Sequence, residues 1–544
     1  MAKKKEEAIK RKVNVLVKKK SAMPIKKVSD VKKPSFIPNA SPEKEILEKY
    51  NINADEVEVE VRIIKSKGRS LRYEINIPGI AVATSALLDE IRHELVTEVA
   101  VSSAEILDPM IVVKLKKKFK EKAESILGNK LPNIDEETKK FLVGILLQEM
   151  VGLGKIEYLL NDLALEEIVI NSTIEPVRVF HKRYGWLETN ITIKTEDQIQ
   201  NYANIIARRV GRQITTLNPL LDAHLVSGDR ANAVLYPVST KGNTITIRKF
   251  ARDPWTVTDF IKNNTVTSEI MALIWMAMEY EMSVLVSGGT ASGKTSLLNV
   301  MMPFIPPNHR LISIEQTREL QIPKFLYWCP LITRLPNPEG KGGVDMLDLL
   351  VNSLRMRPDR IILGEIRRKE EAQVLFEAMH TGHSVYSTVH ADSLTETVSR
   401  LVNPPISVPE NMLEAVNLAV VMFRDRRRGI RRIYQLGEFL SSEETGEVKI
   451  KTNLLYRWNP VNDKIVKHME SLRLFDDLSR NTALSIDEIN EEIAMKKKIL
   501  DYMVKNNIRY VEDVGKIMNE YYVNKNYVLD VVNNKLNPNK ILGI

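Results

Sequence analysis

A glycine-rich segment between an apolar run and a helical stretch constrains this chain more than any other feature. Residues 288–295 read Gly-Gly-Thr-Ala-Ser-Gly-Lys-Thr and fit the pattern GxxxxGK[ST]. The apolar run Val284 to Val286 comes just before it, and Lys294 to Met302 predicts a helix after it. Glycines let backbone N–H groups approach a phosphate closely, and a helix N-terminus adds the positive end of its dipole. Residues 288–295 are therefore predicted to be a phosphate-binding loop, the P-loop.

The P-loop predicts both a nucleotide and a metal ion. Lys294 is expected to reach the β- and γ-phosphates of ATP, and the hydroxyl of Thr295 to bind Mg²⁺. ATP and Mg²⁺ are therefore the predicted cofactors. The predicted nucleotide-binding residues are Gly288, Gly289, Thr290, Ala291, Ser292, Gly293, Lys294, Thr295 and Ser296.

The segments around the P-loop predict a parallel sheet. Fully apolar strands separated by helices are typical of a sheet that is covered on both faces. We predict an α/β fold, in which a RecA-like P-loop ATPase domain with a parallel sheet follows a mixed α+β N-terminal region. The predicted strands are Ser283 to Val286, Leu311 to Ile314, Arg360 to Leu363 and Ser384 to Thr388.

Changes of pattern along the chain predict five units. They are a disordered basic tail over 1–40, a small N-terminal domain over 41–150, an α+β domain over 151–252, the RecA-like domain over 253–435 and a helical C-terminal extension over 436–544. The role of 151–252 as a nucleotide-capping domain is implied by the family resemblance given below.

Two glutamates follow predicted strands at the end where ligands bind in open α/β sheets. Glu315 is a candidate to activate the attacking water, unless it is a solvated strand-end acid. Glu365 is a candidate to polarise a water or to hold a water bound to Mg²⁺, unless it only pairs with Arg367 or Arg368. Gly364 occupies the place of the usual aspartate. The sequence leaves open which glutamate is the catalytic base.

Two histidines flank the predicted strand Ser384 to Thr388. A neutral histidine can hydrogen-bond a γ-phosphate oxygen and respond to its loss. His383 and His390 are therefore candidate sensors of the γ-phosphate, although a single histidine is more often a structural residue.

Together these motifs resemble the secretion ATPase superfamily, which powers type II secretion, type IV pili, type IV secretion and the archaellum. The resemblance covers roughly residues 135–435. It includes the P-loop, an acidic segment over 314–320 (below, the acidic box), the segment 364–367 and the two histidines. In the preceding domain it includes Glu167 to Asn171, Pro219 to Ala223, Gly228 to Arg230 and Ile247 to Phe250.

The archaeal branch of this superfamily is the best match. Phe180 to Gly185, Asn403 to Pro405 and the arginine-rich run Arg424 to Arg432 resemble it. The absence of the four-cysteine insert of many bacterial members agrees, since Cys329 is the single cysteine. Within that branch the archaellum motor is the first choice and a pilus-assembly ATPase the second.

The resemblance implies further properties. Members form six-membered rings whose two main domains close on nucleotide, and they act on a polytopic membrane platform protein together with cytoplasmic accessory proteins. By motif position, Arg230 and Arg248 are implied to stabilise the charge of the transferring phosphoryl group, unless they are structural ion pairs. The acidic box departs from the family, because Gln316 replaces its usual second acid.

The net charge of +9 is concentrated in the tail. Residues 1–34 carry a net charge of +10, so the remainder is close to neutral. This argues against a nucleic-acid partner for the folded body, although the tail could contact anionic lipid or RNA. A nucleic-acid-dependent translocase and an ATP-binding scaffold remain as alternatives. No apolar run of roughly 18 residues is present, so we expect a cytoplasmic protein. The resemblance implies that it is peripherally associated with the inner face of the cell membrane.

Overall fold

The computed structural model describes residues 44–66, 70–79, 82–98, 109–225, 228–250, 253–334, 336, 340–444 and 447–543. Two nine-stranded sheets dominate these ranges. The predicted basic tail over 1–40 lies outside the described residues.

The first sheet has the strand order β1-β2-β3-β6-β5-β4-β9-β8-β7. Its strands are antiparallel except where β3 pairs with β6. The strands are β1 (Lys44–Ala54), β2 (Val57–Ser66), β3 (Arg72–Asn76), β4 (Leu165–Ile170), β5 (Arg178–His181), β6 (Gly185–Thr189), β7 (Leu220–His224), β8 (Arg230–Val234) and β9 (Thr244–Arg248).

The β3–β6 pairing joins two units that the sequence analysis had separated. Arg72 lies opposite Glu188 and Tyr73 opposite Thr189. The N–H and C=O groups on this side of β3 thus find partners more than 100 residues further along the chain. The strands of 44–76 and 165–248 therefore form one sheet, and the predicted boundary near residue 150 does not separate two sheets.

Two groups of helices accompany this sheet: one packs against it, and the other forms a separate cluster. Three of them, α1 to α3, pack on one another around a hydrophobic core of their own, whereas residues of α4 and α5 belong to the core of the sheet. These helices are α1 (Val82–Glu98), α2 (Pro109–Lys130), α3 (Glu136–Met150), α4 (Ile156–Asn161) and α5 (Glu196–Arg209).

The second sheet contains the predicted parallel strands. Its order is β12-β11-β13-β14-β10-β15-β16-β17-β18, and the first six strands in this order are parallel. Its strands are β10 (Val284–Gly288), β11 (Arg310–Glu315), β12 (Tyr327–Ile332), β13 (Arg360–Leu363), β14 (Ser384–Val389), β15 (Leu418–Asp425), β16 (Ile430–Glu444), β17 (Glu447–Asn459) and β18 (Lys464–Lys467).

Both faces of this sheet are buried, as its continuous apolar strands predict. In β10, Val284 and Val286 belong to one hydrophobic core, whereas Leu285 belongs to the core on the other face. Successive side chains of a strand point to opposite faces, so a strand covered on both sides must be apolar throughout.

The helices that cover the second sheet follow its strands in sequence. None of the helices in the described ranges is both long and apolar enough to cross a bilayer. They are α6 (Val257–Lys262), α7 (Ser268–Glu279), α8 (Lys294–Met301), α9 (Met346–Ser353), α10 (Lys369–His380), α11 (Leu394–Val402), α12 (Leu474–Thr482), α13 (Ile486–Lys505), α14 (Val511–Val523), α15 (Lys525–Asn533) and α16 (Asn539–Leu542).

The predicted helical extension over 436–544 is wrong in its first part. Strands β16, β17 and β18 continue the sheet as an antiparallel meander, and helices begin only with α12. β15 would otherwise leave its outer N–H and C=O groups unpaired, and β16 pairs with them. The sheet therefore extends across the predicted boundary at residue 435.

The C-terminal helices share a core with the P-loop helix α8. Lys496 of α13 is fully buried and pairs with Glu279 of α7 at 2.9 Å. The hydroxyl of Tyr521 lies 2.9 Å from the same ammonium, and the ring of Trp275 lies 5.3 Å from it. Removing one partner of a buried ion pair leaves an uncompensated charge. This contact therefore joins α13 of the extension to α7.

Candidate active site

Four strands deliver the candidate residues to one edge of the second sheet. β11, β13, β14 and β10 are consecutive neighbours and run parallel, so their carboxyl ends lie side by side. The P-loop follows β10, His390 follows β14, Glu365 follows β13, and Glu315 is the last residue of β11. The topology therefore brings these residues, which are far apart in sequence, to one site.

The P-loop has a backbone that requires glycine at two positions. Gly288 and Gly293 have φ angles of 148° and 101°, in the region that favours glycine. A Cβ on Gly288 would lie 2.5 Å from the backbone oxygen of Met422 in β15. The loop thus folds closely against the neighbouring strand, and α8 begins at Lys294 with its N–H groups directed at the loop.

Lys294 lies in the centre of this loop. Its ammonium donates to the backbone oxygens of Gly288 at 2.9 Å and Gly289 at 3.1 Å, and lies 3.3 Å from Nδ1 of His390. Burial lowers the pKa of Lys294, and the carboxylate of Glu365 opposes this shift. A desolvated cation in the first turn of α8 is suited to bind the phosphates of a nucleotide.

His390 connects Lys294 to Glu365. Its Nε2 lies 2.9 Å from Oε1 of Glu365. The other carboxylate oxygen of Glu365 accepts a 2.8 Å hydrogen bond from Nε of Arg367, which also donates to the side-chain oxygen of Gln316 at 2.7 Å. Glu365 therefore pairs with Arg367, which was the alternative interpretation of the sequence. It is also connected to Lys294 of the P-loop through His390.

Glu315 has a different environment. It is 3% exposed, and its Oε1 accepts from the backbone N–H groups of Glu319 at 2.8 Å and Leu320 at 3.1 Å. Its Oε2 is buried and has no hydrogen-bond partner among the described residues. Burial raises the pKa of Glu315 to about 7. A buried carboxylate oxygen without a partner is where a water or an ion fits.

The structure places His383 away from this site, which corrects its prediction as a γ-phosphate sensor. His383 precedes the first residue of β14, whereas His390 follows the last, and a strand of six residues spans about 20 Å. Nδ1 of His383 lies 3.2 Å from the backbone oxygen of Ala378 and 3.3 Å from the hydroxyl of Thr381. It closes the turn after α10 at the opposite edge of the sheet.

This separation gives a paired test. We expect His390→Ala to lower the ATP turnover about ten-fold or more, because it removes a contact to both Lys294 and Glu365. His383→Ala should leave turnover within about two-fold of the wild type, because its contacts are local. Steady-state hydrolysis by both variants measures this difference. A larger loss for His383→Ala would contradict the placement of the sensor.

Arg230 and Arg248 lie next to each other on the first sheet. They are directly opposed residues of β8 and β9, so their side chains share one face. Arg230 forms a bidentate pair with Asp222, with distances of 3.1 and 2.8 Å, while Arg248 lies opposite Glu167. The hydrogen bond to Asp222 raises the pKa of Arg230.

Within the described ranges, no hydrogen bond or ion pair joins either arginine to residues 288–296. The two sheets meet nearby, where the hydroxyl of Thr317 in the acidic box lies 3.0 Å from Nδ1 of His224. Glu319 of the same box also acts electrostatically on Arg230. Arg230 thus lies within electrostatic range of the acidic box.

The sequence analysis missed two residues beside the P-loop. Oδ1 of Asp392 would lie 2.9 Å from a Cβ on Gly289, and Nε of Arg431 donates to the backbone oxygen of Ala291 at 3.2 Å. Asp392 lies shortly after the end of a strand, as the predicted glutamates do. Its position in the sequence could therefore have indicated that it lies at the site. The position of Arg431 depends on the pairing of β16 with β15, which the sequence analysis did not predict.

The site fits Mg-ATP, although the described residues include no cluster of three or more histidine, cysteine, aspartate or glutamate side chains that could hold a metal ion alone. Mg²⁺ in nucleotide sites is held mainly by phosphates, waters and one or two side chains. The hydroxyl of half-buried Thr295 is suited to direct contact. Both oxygens of Glu365 are engaged by His390 and Arg367, so Glu365 fits contact through a water.

Comparison with known proteins identifies the family. Residues 149–428 match the family of type II/IV secretion system proteins. An uncharacterized protein of Methanocaldococcus jannaschii, MJ0900, is 36% identical over 402 residues, which is 72% of each chain. This chain belongs to the type II/IV secretion system protein family. It is an ATPase of that family, an assembly or secretion motor with its P-loop at the end of β10.

Other matches in the type II/IV secretion family cover less of the chain. The type IV secretion system protein PtlH of Bordetella pertussis is 30% identical over 302 residues, which is 49% of this chain and 88% of PtlH. Among solved structures, the VirB11 ATPase of Brucella suis is 25% identical, covers 51% of this chain and 90% of its own, and has a TM-score of 0.27. The pilus retraction motor PilT is 16% identical, covers 65% and 93%, and has a TM-score of 0.38.

Proposed function

We propose that this secretion-family ATPase is the hexameric motor that assembles an archaellum or a related type IV pilus-like filament. The observation that carries the motor assignment is the contact of His390 with both Lys294 and Glu365 at the P-loop. The sequence motifs favour the archaeal branch, and the 36% identity to an archaeal relative over most of the chain supports that branch. Within it the archaellum motor is our first choice and a pilus-assembly ATPase the second.

Substrate binding uses the P-loop. Backbone N–H groups of residues 288–295 and the ammonium of Lys294 bind the phosphates, and α8 adds its dipole. Thr295, and Glu365 through a water, would hold Mg²⁺, which would supply charge neutralisation to the phosphoryl group. The half-buried setting strengthens these interactions relative to water.

Glu315 is the better candidate for the catalytic base. A base needs a free lone pair and a pKa near the working pH. Oε2 of Glu315 has no partner among the described residues, and the pKa of this carboxyl is about 7. Glu365 is instead engaged by His390 and Arg367. We therefore assign proton abstraction from the attacking water to Glu315.

His390 is proposed to report the state of the γ-phosphate. Its ring bridges a cation and a carboxylate that are both directed at the nucleotide, so the loss of the phosphate changes both of its contacts. The arginine pair Arg230 and Arg248 is proposed to stabilise the charge of the transferring group when the two main domains close. Charge neutralisation of this kind contributes about 10³ to 10⁵ in rate in other phosphoryl-transfer enzymes.

The proposed partners are five further copies of the chain, a polytopic membrane platform protein and cytoplasmic accessory proteins. Contact with anionic lipid through the basic tail is part of the same proposal, and the proposed location is the cytoplasmic face of the membrane. Hydrolysis would then open and close the interface near Thr317 and His224, and this motion would be passed to the platform protein.

The decisive experiment measures ATP hydrolysis by the purified protein alone, with anionic liposomes, and with single-stranded DNA or RNA. We expect stimulation by liposomes and none by nucleic acid. Neutral liposomes are the control, because they present the same surface without the charge that attracts a basic tail. Stimulation by nucleic acid alone would contradict the assembly motor and favour a translocase.

A further inference from the structure

The hairpin that joins β15 to β16 carries an unusual number of arginines, and they differ in their partners. Arg428 pairs with Asp425 at 2.7 Å, and Arg432 pairs with Asp463 at 2.8 Å. Arg431 hydrogen-bonds no carboxylate among the described residues. The hairpin thus neutralises two of its cations, whereas Arg431, like Arg424, Arg426 and Arg427, forms no ion pair with the described residues.

Arg431 is the residue of this hairpin that contacts the P-loop. Its Nε donates to the backbone oxygen of Ala291, which has a φ angle of 59°. Its Cδ would lie 3.4 Å from a Cβ on Gly293. The two terminal amino groups of the guanidinium donate no hydrogen bond to the described residues. They are therefore available to a ligand that is bound at the loop.

The surroundings of Arg431 disfavour its charge. The side chain is half-buried, and burial together with the neighbouring guanidinium of Arg424 lowers its pKa. Arg424 is the directly opposed residue on β15. The carboxylate of Glu166 in β4 favours the charged form of Arg431, but no hydrogen bond joins the two side chains. An anion beside Ala291 would relieve this unfavourable charge.

We propose that Arg431 is a nucleotide-binding residue, whose terminal amino groups contact a phosphate of the nucleotide in the P-loop of the same chain. A guanidinium presents several donors in one plane and binds phosphate oxygens through two of them at once. Arg431 thereby adds a second cation to the site, beside Lys294. This proposal rests on nucleotide binding at the P-loop and is independent of which filament the motor builds.

Two substitutions separate phosphate binding from support of the loop. Arg431→Gln places an amide nitrogen at the position of Nε, so it can keep the hydrogen bond to Ala291 while it removes the charge and the terminal amino groups. Arg431→Lys keeps a positive charge but removes the donor at the Nε position. Arg426→Gln, at the exposed tip of the same hairpin, is the matched control for the loss of one charge.

The affinity for ATP and ADP, measured with a fluorescent nucleotide and by competition, gives the test. We expect Arg431→Gln to raise the Kd for ATP about ten-fold or more, since a hydrogen bond between charged groups is lost. Arg431→Lys should raise the Kd less than Arg431→Gln does, because it keeps the positive charge but loses the paired donors, and Arg426→Gln should bind as the wild type does. Thermal unfolding of each variant shows that the fold is retained.

The opposite pattern would overturn the proposal. If Arg431→Gln binds ATP as tightly as the wild type and Arg431→Lys does not, the side chain only supports the loop. If all three variants bind ATP as tightly as the wild type does, a phosphate contact is also refuted. Failure of the wild type itself to bind ATP would instead refute the P-loop site, so the two failures can be told apart.

Discussion

Lys294→Ala should abolish ATP hydrolysis, lowering turnover on the order of 10³-fold or more. The ammonium of Lys294 is the cation at the centre of the P-loop, where it holds the backbone oxygens of Gly288 and Gly289 and faces His390. Alanine removes the charge that binds the phosphates and also releases the loop. We therefore expect both the affinity for ATP and the rate of the chemical step to fall.

Steady-state phosphate release and equilibrium binding of ATP measure the two effects separately. Lys505→Ala is a suitable control, because it removes a lysine from the exposed end of α13 and should leave turnover unchanged. Circular dichroism and thermal unfolding show whether the variant is folded. Hydrolysis by folded Lys294→Ala at a rate close to that of the wild type would refute the assignment of the site.

Glu315→Gln should lower turnover by about 10² to 10⁴, the usual contribution of a general base. Glutamine keeps the shape of the side chain and can accept the N–H groups of Glu319 and Leu320, so the loss should appear in kcat while the affinity for ATP changes little. Glu365→Gln is the comparison, since it breaks the contacts to Arg367 and His390. A larger loss of kcat in Glu365→Gln, with Glu315→Gln close to the wild type, would reverse the assignment.

The same substitution should change how stability depends on pH. The folded pKa of Glu315 is about 7, above its ordinary value of 4.5, so the folded state holds this proton more tightly than the unfolded state. The stability that protonation contributes is complete below pH 4.5 and is lost as the pH rises through about 7. The shift corresponds to about 3 kcal/mol.

Chemical denaturation of the nucleotide-free protein at pH 5 and pH 8 measures this effect. We consider the free energy of unfolding of Glu315→Gln minus that of the wild type. This difference should be higher at pH 8 than at pH 5, by an amount on the order of 3 kcal/mol. An equal difference at both pH values would mean that the carboxyl titrates normally.

The strands at the nucleotide edge were predictable because their signal is local. The four apolar runs predicted around the P-loop match β10, β11, β13 and β14, and burial on both faces explains their composition. Once the strands are known to be parallel, the positions of Glu315, Glu365 and His390 follow from chain order alone. His383 could have been excluded by the same reasoning, since it precedes a strand instead of following it.

The remaining features depend on contacts between distant parts of the chain. β16 and β17 contain many charged residues and lie at one side of the sheet, so they lack the apolar signal of its central strands. The pairing of β3 with β6 joins segments more than 100 residues apart, and no local pattern specifies it. Arg431 reaches the P-loop only because β16 pairs with β15. Sequence periodicity carries no information on such pairings.

The position of Lys496 has a consequence for synthesis of the protein. The ribosome makes the P-loop and its strands long before α12 to α16, and domains generally fold as they emerge. Here the core beneath α7 and α8 includes apolar residues from these late helices, and Lys496 fills the space next to Trp275. We therefore expect apolar surface of the nascent ATPase half to stay exposed until residues 474–542 emerge. During this interval we expect it to depend on chaperones that cover exposed apolar surface.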